Sequence, residues 1–326
     1  MPMIDGKYKN PNWVNGGPPA INAAELNAIS DTLEALDAGG GSGDKTPYIV
    51  IGTSQNGWTI NDCDYLCDGV ADQEEINAAL EQTTLLNKDI FLLAGTYSIS
   101  APIIITRGVL ICSSIQNFVT GIYPENSSVQ SLIEIDSTFD VSFRNLGLGN
   151  LISPSPATLA LIRGKYETNI TLDNVVMISE MARGIVVPST YKLRLHARNS
   201  TICNSTLSLS NSDMQNCVLT NVILSECGDT ISRAQSIFMS NNIFDGSAEI
   251  SNSARCVFLG NTFYQGFSLT GCTQTNFSNN YFYDGGIILD TQSTYNLIVG
   301  NGGASSWTGV TDNGSNNFVA NNMPTT

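Results

Sequence analysis

Three sets of side chains in this 326-residue chain have the types and spacing to do chemistry. Asp245 and Asp284 each stand just beyond a recurring phenylalanine, in Ile243-Phe244-Asp245-Gly246 and in Tyr281-Phe282-Tyr283-Asp284-Gly285. Two carboxylates held about 5–10 Å apart are what glycosidic-bond hydrolysis needs, one as acid and the other as base or nucleophile. Asp290 and Glu249 are further candidates on a different face. The plainer reading of Asp245 and Asp284 is a solvated turn residue, since Asp before Gly is a common turn pair. The second set is aromatic. If Phe244, Phe263 and Phe282 point into a core, strand alternation sends Tyr264 and Tyr283 outward, and Tyr281 with them. Exposed tyrosines beside carboxylates suit stacking on sugar rings; covering the coil or packing against another chain are the alternatives. The third set is basic. Lys192, Arg194 and His196 alternate with Leu193, Leu195 and Ala197, which places a cationic stripe on one face of a strand. That stripe fits an anionic glycan, a solvated outer face or interchain ion pairs. His196 is the only histidine, and no Ser or Cys nucleophile arrangement accompanies it in the sequence.

A repeat positions these residues. Asn242-Ile243-Phe244, Asn261-Thr262-Phe263 and Asn280-Tyr281-Phe282 match one another, with their asparagines 19 residues apart each time. Looser copies precede them at Asn145, Asn174, Asn199 and Asn221, and Asn301 and Asn321 continue the series. A recurrent buried Asn has a physical reason: its amide both donates and accepts, so stacked copies satisfy one another. Two positions on, Ile223, Phe244, Phe263 and Phe282 are expected to stack inside the coil. With roughly twenty residues per rung, residues 89–326 hold ten or so coils. A propeller needs longer blades, and the leucine framework of a leucine-rich repeat is missing.

The first forty-odd residues differ. After Gly16-Gly17-Pro18-Pro19, Asn22 and Glu25 have capping-box spacing, and Leu26, Ile29, Leu33 and Leu36 form an a/d seam of about two heptads. A helix that short is marginal alone, so it is expected to pack against copies of itself or another surface. Gly39-Gly40-Gly41-Ser42-Gly43 reads as a flexible linker, giving a boundary between 1–43 and 44–326. A short strand is expected at 48–51. Asp72 and Glu75 then open a second helix through about Gln82, whose apolar stripe of Ile76, Ala79 and Leu80 can cover the open end of the array.

Composition narrows the partners. A net charge of −15 argues against nucleic acid, and no apolar run approaches the ~20 residues of a membrane-spanning helix, so neither nucleic-acid binding nor membrane insertion is expected. The eight cysteines read as free buried thiols in a chain long enough to build a core and lacking a secretion signal. Cys63 and Cys67 have no partner pair at ligand spacing; neither a metal nor a cofactor is expected.

Asp68-Gly69-Val70-Ala71-Asp72-Gln73-Glu74-Glu75-Ile76, followed by Leu93-Ala94-Gly95-Thr96-Tyr97-Ser98-Ile99 and Ile103-Ile104-Ile105, resembles the opening segment of pectate-lyase-like right-handed parallel β-helices, common in phage tail spikes. Trp13-Val14-Asn15-Gly16-Gly17-Pro18-Pro19 through Asn27 looks like the leading segment of many phage tail proteins. The resemblance implies an all-β fold: a right-handed, single-stranded parallel β-helix with a short N-terminal α-helical attachment segment and a capping helix. It further implies a homotrimer in the virion tail, assembled in the bacterial host cytoplasm. The N-terminus, with Trp13 and the Leu26/Ile29/Leu33/Leu36 seam, would be held by other tail or baseplate proteins. Members of this fold include polysaccharide lyases, glycoside hydrolases, epimerases and pure binders, so fold does not decide function. With so thin a catalytic set, the leading expectation is a structural, host-recognition component engaging a bacterial surface polysaccharide. The alternatives are a polysaccharide depolymerase on the same β-helix, and a pectate-lyase-like enzyme unrelated to phage, which the missing secretion signal weakens.

Overall fold

The computed structural model describes residues 3–4, 7–8, 46–113, 120–150, 160–179, 183–187, 191–203, 213–214, 217–225, 229–232 and 234–324. They fall in two units, Met1–Thr46 and Pro47–Thr326. In the first, Met3–Ile4 pairs antiparallel with Lys7–Tyr8, a ribbon the sequence reading did not anticipate. Trp13, Leu26, Ile29, Leu33, Leu36 and the glycine-rich linker lie outside the described residues.

The second unit is a right-handed parallel β-helix with three sheets. Sheet I stacks one strand per turn, from Tyr48–Thr53 through Asp89–Leu92, Val109–Ser113, Asp140–Arg144, Thr168–Asp173 and Lys192–Arg198 to Phe318–Ala320. Sheet II runs from Gly95–Ile99 through Ile243–Asp245, Thr262–Phe263 and the starts of Tyr281–Leu289 and Gly302–Asp312 to Met323–Pro324. The third face begins with Ile103–Ile105, Ser131–Ile135, Ala160–Gly164 and Arg183–Val186, and higher up comprises Asp229–Ser232, Ala248–Ser251 and Phe267–Thr270. Strand alternation buries one residue in two. Sheet I points Ile90, Ile111, Phe143, Leu172, Leu219, Met239, Phe258, Phe277 and Ile298 inward in a single register column. Sheet II answers with Leu224, Phe244, Phe263 and Phe282. The last three are ring-stacked, at 4.5 Å between Phe244 and Phe263 and 4.9 Å between Phe263 and Phe282. Such stacks add to the area each ring removes from water.

The asparagines form two ladders where the sequence suggested one. Asn145, Asn174, Asn199, Asn221, Asn241, Asn279 and Asn321 all have left-handed φ between 50° and 57°, and Gly260 and Gly300 fill the intervening rungs. Asn and Gly are the residues that tolerate this conformation at a turn. The buried ladder lies one residue later: Asn242, Asn261, Asn280, Asn301 and Asn322, each Nδ2 donating to the next Oδ1 at 2.9–3.1 Å. Asn221 therefore pairs with Asn241 and not with Asn242, as the alignment of Ile223 with Ile243 shows, and the buried series ends on Asn322 and not on Asn321. Because side chains alternate, this one-residue slip turns Ile223 outward, 39% exposed, and puts Leu224 in the core.

The array also starts earlier than the repeat suggested. Tyr48–Thr53 is itself a rung, pairing in parallel with Asp89–Leu92. Helix α1, Gln73–Leu86, is inserted between them and buries Ile76, Ala79 and Leu80 as expected, but runs past Gln82. The capping box does not form. Asp72 makes no side-chain cap bond; its Oδ1 accepts from Gly69 N and its Oδ2 from Ser98 N, both at 2.7 Å, tying the helix start to the first coil. Six cysteines among the described residues are free, and five of these are buried; burial raises the Cys256 thiol pKa to about 11 and that of Cys272 to about 12. No helix among the described residues is long and apolar enough to cross a membrane.

Candidate functional site

Two outer surfaces carry the candidate residues. On sheet II, the strand after each inward phenylalanine presents the next residue outward, so Asp245, Tyr264 and Tyr283 follow one another up a single column. Tyr264 and Tyr283 are 43% and 45% exposed and stack at 4.6 Å, 14° from parallel. Tyr281 meets Tyr283 edge-on at 5.1 Å. The rigid phenylalanine stack behind fixes their spacing, because Phe263 and Phe282 are their chain neighbours.

Asp245 and Asp284 do not occupy the same column. Tyr283 takes the position equivalent to Asp245, and a register shift between Phe282 and Asp284 sets Asp284 opposite Ser306. Their strands are two rung steps apart, a rise of about 9.6 Å, with the rung of Tyr264 between them. The Asp284 Oδ1 accepts from the backbone N–H of Gly285 at 2.7 Å. Gly285 has φ +70°, and a Cβ there would meet Gly266 N at 2.6 Å, so this corner is built for glycine. Asp290 holds a turn, accepting from Gly271 N and Ser293 Oγ at 2.9 and 2.7 Å. Glu249 stands on the third face, away from the tyrosines.

The second surface is the outside of sheet I at the middle rungs. Strand Lys192–Arg198 alternates as its sequence suggests: Leu193, Leu195 and Ala197 are buried, Lys192, Arg194, His196 and Arg198 face outward. Carboxylates aim the guanidinium groups. Arg194 bonds Glu167 at 2.8 Å and Asn169 Oδ1 at 3.3 Å, while Asp173 bridges Arg198 at 2.7 Å and Arg144 at 3.3 Å. The Arg198 hydrogen bond holds the Asp173 carboxyl below its ordinary value. Two adjoining clefts open here, of about 560 Å³ and about 170 Å³, and Thr171 and His196 line both. The larger adds Arg198, Asn199, Val218, Thr220 and Asn221; the smaller adds Asp140, Asn169 and Arg194.

Compared with protein-family models and with curated protein sequences, the chain matches none. Among solved structures it is similar to an Acinetobacter phage tailspike protein, with 10% identity, a TM-score of 0.41, and coverage of 78% of this chain and 57% of that one. Phage tailspikes stand among its structural neighbours. So do a lacto-N-biosidase from Eubacterium ramulus (9% identity, TM-score 0.46, 93% of this chain and 71% of that one) and the A-module of a mannuronan C-5 epimerase from Azotobacter vinelandii (11%, 0.41, 79% and 97%). At these identities the likeness is one of fold.

Sequence reasoning singled out Lys192, Arg194 and His196 but passed over Arg198, Thr171, Asn199 and Asn221, which complete the larger cleft. Their signal was present, since Arg198 continues the same alternation. It also missed Tyr166 and Tyr191, 43% and 38% exposed, which meet edge-on at 5.9 Å beside the basic strand. Near α1, the Cys67 thiol and the Asp72 and Glu75 carboxylates lie within 4.8 Å of one another. Burial first, then neighbouring acids, raises Asp72 and Glu75. Asp72 commits both oxygens to backbone N–H groups, which makes this cluster a joint between helix and coil.

Proposed function

We propose that the chain is a phage tail appendage, a spike or fibre whose β-helix engages a bacterial surface polysaccharide. The observation that carries this reading is the Asp245–Tyr264–Tyr283 column. It sets two stacked, outward tyrosines in line with the Asp245 carboxylate on a wall backed by the phenylalanine stack. Tyrosine presents large amphipathic area at low entropic cost, and carboxylates accept from sugar hydroxyls. The double variant Tyr264→Ala/Tyr283→Ala is expected to bind host polysaccharide at least tenfold more weakly in glycan-array or calorimetric titration, with an unchanged melting temperature. Equal binding by this variant and the unchanged chain sinks the assignment. A second reading, a depolymerase, is favoured by one feature: Asp140, Arg194 and His196 line the smaller cleft together, a carboxylate, a guanidinium and an imidazole within one site. Release of oligosaccharide or unsaturated uronate in the same incubations would select it.

Homotrimerisation belongs to the proposal, and the C-terminal half of sheet I supports it. Beyond the cleft, from Phe238–Ser240 to Phe318–Ala320, the strands of this sheet contain no charged residue, and Phe238, Leu259, Leu297 and Phe318 are 37–60% exposed. In a chain of net charge −15 this neutral stripe is where copies meet at least electrostatic cost. The 1–43 segment, with Trp13 and the Leu26/Ile29/Leu33/Leu36 seam, then anchors the assembly to other tail or baseplate proteins in the virion. Sedimentation equilibrium is expected to give three copies, and Phe238→Asp/Leu297→Asp to shift the population toward monomer. A chain that stays monomeric at high concentration overturns this part.

A further inference from the structure

The larger cleft on sheet I has a lining of donors and one cation. The chain carries 29 acidic and 14 basic residues, yet among the described residues no carboxylate lines this cleft. Its charged side chain is Arg198, and around it stand donors: His196, Asn199, Asn221, Thr171 and Thr220. Asp173, which is not part of the lining, grips Arg198 from one side at 2.7 Å. That single bond orients the guanidinium fork; its other N–H groups remain for a ligand, on a side chain 61% exposed. Val218, 38% exposed, adds an apolar contact at the same opening. At about 560 Å³ the space is in the range that holds one or two sugar rings. An oriented guanidinium, amide and hydroxyl donors and an apolar side chain together match a pyranose that bears a carboxylate: the fork takes the anion, the amides take hydroxyls, and Val218 meets the ring's C–H face.

We propose that this cleft is a subsite for a carboxylated sugar residue, so that the glycan recognised is acidic. The proposal rests on the glycan-recognition reading above and adds the substrate class. Recognition is by a charged pair in partly exposed surroundings, so affinity falls as salt is raised.

His196 is the only histidine in the chain and lines the cleft, which supplies a built-in reporter. The full chain, labelled with 13C at the histidine imidazole, is titrated with glucuronate, galacturonate and N-acetylneuraminate, and separately with glucose, galactose and acetate. At least one acidic sugar is expected to shift the His196 signal saturably. Neutral sugars are expected to leave it in place, and acetate to bind at least tenfold more weakly than that acidic sugar. Arg198→Ala is expected to weaken the acidic-sugar response at least tenfold, with Arg198→Lys intermediate because it keeps charge and loses the fork. Neutral sugars acting as well as acidic ones, acetate matching them, Arg198→Ala responding normally, or no acidic sugar moving His196 would each overturn the subsite. The two readings fail separately. An intact His196 response in a protein that binds no host polysaccharide removes the receptor reading and leaves the subsite; polysaccharide binding with a silent His196 does the reverse.

Discussion

Asn261→Ala is expected to lower stability by about 3–5 kcal/mol. The Asn261 side chain accepts from the Asn242 backbone N–H at 2.9 Å and from Asn242 Nδ2 at 3.1 Å, and donates to Met239 O at 3.1 Å and Asn280 Oδ1 at 3.0 Å. All these partners are buried with it, and Asn242, Asn261 and Asn280 are 1–2% exposed. Alanine takes the Asn261 oxygen from the Asn242 backbone N–H and Nδ2 and the Nδ2 donor from Met239 O, all buried, while Asn280 Oδ1 keeps only the Asn261 backbone N–H at 2.9 Å. Asn322→Ala is the control. Asn322 ends the same ladder at its partly exposed rim, where water can replace the lost amide, and a loss below about 1 kcal/mol is expected there. Thermal and denaturant unfolding of both variants decides the matter. Equal losses at the two positions would mean that the ladder is ornament and that apolar stacking alone holds the coils.

Phe263→Ala is expected to cost about as much, 3–5 kcal/mol by the usual large-to-small scale, for a different reason. Its ring is fully buried and lies 4.5 Å from Phe244, 4.9 Å from Phe282, 5.1 Å from Phe267 and 5.4 Å from Phe277. Truncation opens a void at the middle of this group, and strands locked on both sides cannot collapse into it. Phe263→Leu refills most of the volume and should recover all but about 1–2 kcal/mol. Because Tyr264 follows Phe263 directly, the alanine variant should also loosen the outer tyrosine column. Weaker polysaccharide binding by Phe263→Ala than its loss of folded protein accounts for would show that the core sets the spacing of the proposed recognition surface. Calorimetric unfolding alongside the glycan titration separates the two contributions.

These two positions also show what could be read from the chain alone. The 19-residue spacing of Asn242, Asn261 and Asn280 announces stacked rungs, and the structure puts these amides one above another. The same spacing misled further upstream. Asn serves two purposes in this fold, as a left-handed turn residue and as a buried ladder member one place later, and letters alone do not say which. Only strand pairing does, which is why Asn221 and Ile223 were set one residue out of register. The capping-box spacing of Asp72 and Glu75 was a local cue overridden by a tertiary one, since Ser98 from the following coil captures the Asp72 carboxylate. At the candidate surfaces, alternation correctly sent Tyr264, Tyr283, Lys192, Arg194 and His196 outward. It could not reveal the clefts. Those depend on which residues of separate turns become neighbours: Thr171, His196 and Val218 lie 25 and 22 positions apart in the chain yet share one register column.

The equivalence of successive turns has a genetic corollary. Between Asn242 and Asn280 each 19-residue stretch begins and ends with the same amide-bonded, ring-stacked environment, so the upper surface of one floor is chemically the lower surface of the next. Tandem duplication or in-frame loss of one such stretch would lengthen or shorten the shaft by about 4.8 Å while leaving every other storey intact. The length of the β-helix is thereby adjustable in small increments by ordinary recombination.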